Sequence, residues 1–184
     1  MTATSPATKA PSPPGATVHL ALGGNIGDRA ANLAAAIQHL GEAVAIDRLS
    51  AVYQTAPMYV TDQPAFLNMA VRGVTRLAPL ELLRFVKRIE ADLGRTGGGE
   101  RFGPRPIDID ILFYGDLDGN RTMAGPELEI PHPRIAERAF VLAPLADIAA
   151  DLSHPTLGRP VAELLAAVPG RDTVVRVADA LDAG

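Results

Sequence analysis

The chain has no cysteine and no tryptophan, and only two lysines, Lys9 and Lys87, beside fifteen arginines. Without cysteine there is neither a disulfide framework nor a zinc–thiolate site, which is compatible with a reducing compartment. Few lysines and a formal net charge of -4 leave no broad basic surface for nucleic acid, so any polyanion site has to be local. No apolar run reaches the roughly 18 residues that a membrane-spanning helix needs. The N-terminal stretch also lacks the apolar centre of a signal peptide, about seven residues or more. A cytoplasmic monomer with no membrane or nucleic-acid partner is the expectation. What is present, 184 residues with 47% hydrophobic and 21% charged content, suits one globular domain with a sizeable core.

Residues 1–16 are rich in Ala, Pro, Ser and Thr and include Pro6, Pro11, Pro13 and Pro14, the composition of a disordered tail. Residues 17–184 form the single expected domain. Within it residues 18–24 read as a buried strand closing on two glycines, and Asp28 opens a helix whose apolar positions Leu33, Ile37 and Leu40 recur at helical spacing. Residues 44–55 read as a second strand and 66–75 as a third. Pro79 starts a second helix with Leu82, Val86, Ile89 and Leu93 on its buried face, and Gly94 stops it. Residues 107–114 form a fourth strand. This βαββαβ order predicts an α+β fold, a ferredoxin-like core with an antiparallel sheet and helices on one face. A C-terminal α/β extension follows, with a strand near 127–130, a helical or mixed segment at 138–149, a helix at 161–168 and a last strand at 173–177.

Chemistry concentrates in four segments. In residues 101–116, RFGPRPIDIDILFYGD, strand alternation places Asp108 and Asp110 on one face and Ile107, Ile109, Ile111 and Phe113 on the other. The isoleucine face enters the core, and the two carboxylates project together about 7 Å apart along the strand. An isolated Asp-x-Asp is ordinarily just solvated. Here it follows Arg95, Arg101 and Arg105 in a loop with Gly97, Gly98 and Gly99, and hard oxygen donors beside arginines suit magnesium and phosphoryl transfer. Residues 21–28, ALGGNIGD, match neither the dinucleotide nor the Walker phosphate pattern. Residues 53–71 hold a proline-punctuated loop leading to Phe66 and Asn68 on one strand face, a ring beside an amide as recognition of a flat heterocycle requires. Residues 130–145 place His132 between two prolines, with Arg138 and Phe140 close behind.

In this order and at these separations, the four segments closely resemble the hydroxymethyldihydropterin pyrophosphokinase family, from about residue 18 to 150. The resemblance implies a magnesium-dependent diphosphotransferase with ATP as co-substrate and two Mg2+ ions as cofactors, acting on hydroxymethyldihydropterin in folate biosynthesis. It also implies roles for particular residues. Asp108 and Asp110 would hold the metals, and Arg95, Arg101 and Arg105 would meet the ATP phosphates, with Arg95 and Arg105 counted among the catalytic groups. Glu90, Ile111, His132 and Arg138 would lie on the nucleotide. Phe66 and Phe140 would sandwich the pterin, Asn68 with the backbone around Thr55 and Met58 would read its edge, and Gly24 and Asn25 would line the same pocket. The segment from 94 to 103 would close over the substrates. The chain departs from the family where Gly24 replaces a frequent serine, Gly97 and Gly98 replace basic residues, and Phe102 replaces a tryptophan, which takes charge out of that closing segment. Two other readings stand beside this one: a non-catalytic regulatory or RNA-binding module, and an enzyme acting on another heterocyclic alcohol. The acidic balance and the strand-borne carboxylates argue against RNA.

Overall fold

A computed structural model describes residues 15–57, 62–95, 103–116 and 121–179. Alternation makes the central strands. In β1, Ala16–Gly24, Val18, Leu20 and Leu22 turn to one face, and in β4, Phe66–Thr75, Leu67, Met69 and Val71 join them. The two strands pair antiparallel from Ala16↔Thr75 to Gly24↔Leu67. That pairing starts β1 two residues before the apolar run, so Ala16 belongs to the sheet and not to the tail. The stretch before residue 15 lies outside the described residues.

Two helices cover this first face. Helix α1, Arg29–Leu40, is capped by the Asp28 carboxylate, which accepts the Ala31 N–H at 3.0 Å, and it buries Leu33, Ala36, Ile37 and Leu40. Helix α2, Pro79–Asp92, begins on proline and buries Leu82, Phe85, Val86, Ile89 and Glu90. Gly94, at φ +94, stops it.

Three features differ from the sequence reading. The expected strand over 44–55 is two strands, β2, Val44–Leu49, and β3, Val52–Thr55, both laid along β4. Residues 50–52 stand opposite only Met69 and Ala70, a bulge, and the Ser50 hydroxyl oxygen accepts the Ala70 N–H at 2.8 Å. Phe113 does not share the isoleucine face. The pairing of β5, Asp108–Gly115, with β1 shifts between His19 and Leu20, which inserts Leu112 and turns Phe113 to the opposite face. The extension also gives the sheet a second cover. Helices α3, Ala139–Ala149, and α4, Val161–Ala167, pack on the face away from α1 and α2 around Ala70, Leu112, Phe113, Leu142 and Leu145.

The sheet runs β5-β1-β4-β3-β8 with β2 also on β4, and every recorded pairing is antiparallel. The last strand, β8, Val175–Ala178, extends it beyond β3, while the short β6, Met123–Ala124, and β7, Glu129–Ile130, form a separate hairpin. No described helix is long and apolar enough to cross a membrane.

Candidate active site

Because Asp108 and Asp110 alternate with core isoleucines, both carboxylates face the layer of α3, at the end of β5 where the chain arrives from the arginine segment. Oxygen Oδ1 of Asp108 pairs with the Arg95 guanidinium, and Oδ2 accepts from Arg105 Nη1 at 2.8 Å. Burial alone would raise the Asp108 carboxyl, but Arg95 and Arg105 hold it below the usual carboxylate range. Asp110 meets a different pair: Arg138 Nη1 at 3.4 Å and His132 Nε2 at 3.8 Å.

His132 lies between Pro131, joined to Ile130 by a cis peptide bond, and Pro133. Its Nδ1 accepts the Arg134 N–H at 3.2 Å, so the neutral ring carries its proton on Nε2, toward Asp110. Burial lowers the affinity of this ring for a second proton, with the cations Arg138 and Arg134 pushing the same way against Asp110. Arg138 immediately precedes α3, its guanidinium carbon stands 5.8 Å from the Phe140 ring centre, and its Nε is buried without a protein partner among the described residues.

These groups open on one cavity of about 300 Å³. Lys87, Arg95, Arg105, Asp108, Asp110, His132 and Arg138 line its charged part, and Phe66, Phe140, Asn68 and Thr55 its other walls. Asn68 donates from Nδ2 to Thr55 Oγ1 at 2.9 Å, both side chains being buried. Gly23 makes that amide fit, since a Cβ there would lie 2.7 Å from Asn68 Oδ1. The structure thus brings together nine of the expected site residues: Arg95, Arg105, Asp108, Asp110, His132, Arg138, Thr55, Phe66 and Asn68, with Phe140 as a tenth.

Other expected residues sit elsewhere. Ile111 is 4% exposed and packs in the core under α1 and α2, so its side chain does not line the cavity. Gly24 is not in the wall either. A Cβ on it would lie 2.1 Å from the Pro106 carbonyl oxygen, so a side chain at this position would require the backbone at Pro106 to shift. Asn25 is 1% exposed and acts as a strut: its Nδ2 donates to Gln63 Oε1 at 2.9 Å and to the Pro64 carbonyl, and its Oδ1 accepts the Arg105 N–H at 2.9 Å. Glu90 is 2% exposed and stands behind Arg95 rather than in the wall. Burial pushes its carboxyl up, against Lys87 and the Ile109 N–H. Met58, Arg101, Phe102 and the closing segment over 96–102 lie outside the described residues. Sequence reasoning missed Lys87 and Gln63, which both line the cavity. Lys87 was findable, because it precedes Glu90 by three residues on a helix and so shares its side.

Asp108 and Asp110 are two hard oxygen donors on one strand face, and no group of three or more His, Asp or Glu side chains forms a closed metal cage among the described residues. An open two-carboxylate arrangement beside cations fits magnesium that takes its remaining ligands from water and phosphate, and not a cation that needs an all-protein cage.

Relatives of the chain carry names that bear on this geometry. The Bacillus subtilis protein named 2-amino-4-hydroxy-6-hydroxymethyldihydropteridine pyrophosphokinase is 46% identical over 132 residues, 71% of this chain and 76% of its own. The mitochondrial folate synthesis bifunctional protein of Arabidopsis thaliana is 52% identical over 132 residues, 71% of this chain but 23% of its own, so this chain spans about a quarter of such bifunctional relatives. A crystal structure of Plasmodium falciparum HPPK-DHPS shares the fold at TM-score 0.69 and 18% identity, over 85% of this chain and 45% of that one. The family model described as 7,8-dihydro-6-hydroxymethylpterin-pyrophosphokinase (HPPK) matches residues 19–150, which hold every described residue of the cavity, and the chain belongs to that family.

Proposed function

We propose that the chain transfers the terminal diphosphate of ATP to the hydroxymethyl group of 6-hydroxymethyl-7,8-dihydropterin, giving AMP and the pterin diphosphate in tetrahydrofolate biosynthesis. The observation that carries this reading is the division of one cavity into two chemistries. Two phenylalanines with a buried amide–hydroxyl pair suit a flat heterocycle with a polar edge, and two carboxylates among Lys87, Arg95, Arg105 and Arg138 suit a metal polyphosphate. Family membership and the name of the Bacillus subtilis relative support the same assignment.

In the reaction the pterin alcohol oxygen attacks the β-phosphorus, the bond from that phosphorus to the oxygen bridging to the α-phosphorus breaks, and AMP leaves with the electron pair. The alcohol proton passes to solvent. Positioning and charge stabilisation supply the rate, since little covalent chemistry falls to side chains. Phe66 and Phe140 orient the ring, and Asn68 with Thr55 reads its edge. Arg95, Arg105 and Lys87 meet the phosphates, and His132 with Arg138 lies beside the nucleotide. Asp108 and Asp110 would hold two magnesium ions, which neutralise phosphate charge when bound. Arg101 belongs to this reading as a further phosphate contact, and the backbone at Met58 as a pterin contact. The chain acts as a cytoplasmic monomer, without nucleic-acid or membrane partners.

The test is to incubate the chain with ATP, magnesium and the pterin alcohol. AMP and pterin diphosphate should form in equal amounts. Release of ADP, or nucleotide turnover indifferent to the pterin, overturns the reading.

A further inference from the structure

Glu90 has no acceptor position left for a ligand. Its Oε1 accepts Lys87 Nζ at 2.9 Å and the Ile109 N–H at 2.7 Å, and its Oε2 accepts Lys87 Nζ at 3.0 Å and Arg95 Nη1 at 2.7 Å. A carboxylate offers about four lone-pair sites, and all four are used. Its backbone carbonyl also accepts the Arg95 N–H at 2.9 Å, so Glu90 holds Arg95 at both ends of that residue. The partners are the informative part. Ile109 is the residue between Asp108 and Asp110, so its peptide sets where both carboxylates stand, while Lys87 and Arg95 are two of the cations lining the cavity.

We propose that Glu90 is a positioning residue for the nucleotide half of the site, fixing Lys87, Arg95 and the Asp108–Asp110 strand relative to one another without touching the nucleotide. This rests on the ATP reading above. Charge explains why a carboxylate stands here. A neutral acceptor would still take the Ile109 N–H, but the Arg95 guanidinium would keep Asp108 as its one carboxylate partner among the described residues, and the Lys87 ammonium would lose its counter-charge and turn toward solvent. Geometry explains why it comes from α2: Gly94 reverses the chain just past the helix end and brings Arg95 back beside Glu90.

The test is a double-mutant cycle of Glu90→Gln and Arg95→Ala, read as binding of magnesium with α,β-methylene-ATP and, separately, of 6-hydroxymethylpterin. Glu90→Gln keeps the shape and the acceptor for Ile109. It should weaken the nucleotide analogue about tenfold and leave the pterin unchanged. In the Arg95→Ala background the same change should cost clearly less than tenfold, because one of the groups it positions is gone while Lys87 and the Asp108–Asp110 strand remain. A multiplicative loss in the double variant would mean that Glu90 does not act through Arg95. Unchanged nucleotide affinity in Glu90→Gln, or equal losses for both ligands, would reduce Glu90 to a fold-stabilising tie. All three results overturn the proposal. The readout needs no turnover, so it is separable from the AMP assay: an unmodified chain that fails to bind the analogue removes the ATP reading and this proposal with it, whereas binding without AMP formation leaves the cycle decisive.

Discussion

Asp108 and Asp110 are two residues apart on β5 but stand in different fields, the first between Arg95 and Arg105, the second beside Arg138 and a neutral His132. Replacing either by Asn removes one charged oxygen donor from the position proposed for the metal while keeping volume, so turnover should fall at least about 100-fold with the near-ultraviolet dichroism unchanged. Full activity in both variants would detach the site from the chemistry. His19 is a residue the chemistry does not use. It is 2% exposed on β1, with its ring edge-on to Phe113, and Nδ1 has no partner among the described residues. Burial, then Arg72 and Arg48, lowers its pKa from 6.5 to about 4. The unfolded chain therefore binds the extra proton first. The stability this neutral ring contributes is fully present above about pH 6.5 and is lost as the pH falls toward 4, up to about 3 kcal/mol in total. Urea unfolding of the unmodified chain and of His19→Leu across pH 7 to 4.5 should show a shallower decline in the variant. The residual slope includes His154, whose pKa burial also lowers. Parallel curves would show that His19 does not titrate on unfolding.

Helix α3 carries Arg138 at its cap and Phe140 in its first turn, so whatever fixes the helix fixes one wall of the cavity. Its other end is tied to the sheet. Asp147 accepts the Ala51 N–H at 3.1 Å and the Tyr53 hydroxyl at 2.9 Å, and Arg48 Nη1 donates to the Ile148 carbonyl at 2.9 Å. Burial and then the bond to Asp147 raise the Tyr53 hydroxyl to about 12, so it remains a donor at any physiological pH. Asp147→Ala should cost about 1–3 kcal/mol of stability, since it strands a backbone N–H. Phe140→Ala should instead weaken pterin by about 1–3 kcal/mol and spare ATP, a split that separate titrations of the two ligands would reveal. Equal losses for both ligands would mean that the ring holds the fold. This scale also shows what the sequence could disclose. Helices α1 and α2 and strand β4 were readable because their signals, stripes of Leu and Ile, a proline start and an alternating run, are internal to each element. The break at Ser50 and the turning of Phe113 were not readable, because a bulge depends on the register of the neighbouring strand. Asp108 and Asp110 were legible from alternation. The burial of Glu90 and Asn25 was not, since it arises from contacts 19 and 80 positions away along the chain.

Across the whole molecule, the family match ends at residue 150 while the sheet and its second cover continue past it. Helix α4 sets Val161, 0% exposed, and Leu164, 3% exposed, against α3, and Val168, 5% exposed, packs in the same cluster. Burying three such side chains is worth roughly 5–9 kcal/mol, a sum comparable with the whole stability of an ordinary domain, about 5–15 kcal/mol. The extension also holds His154, whose ring meets Phe113 edge-on at 5.7 Å, and β8, which occupies the free edge of β3. Strand β3 ends in Thr55, the partner of Asn68 in the cavity wall, so the loss would reach the site through the sheet. A chain cut after residue 150 retains every described cavity residue, yet it should lose cooperative unfolding or melt well below the full chain, and it should bind pterin weakly because α3 has lost its outer cover. Thermal unfolding followed by circular dichroism, with pterin titration of whatever remains folded, decides the matter. A truncated chain that melts within a few degrees of the full one and binds pterin equally well would show that the family core stands alone, and that α4 and β8 add surface without supporting the site.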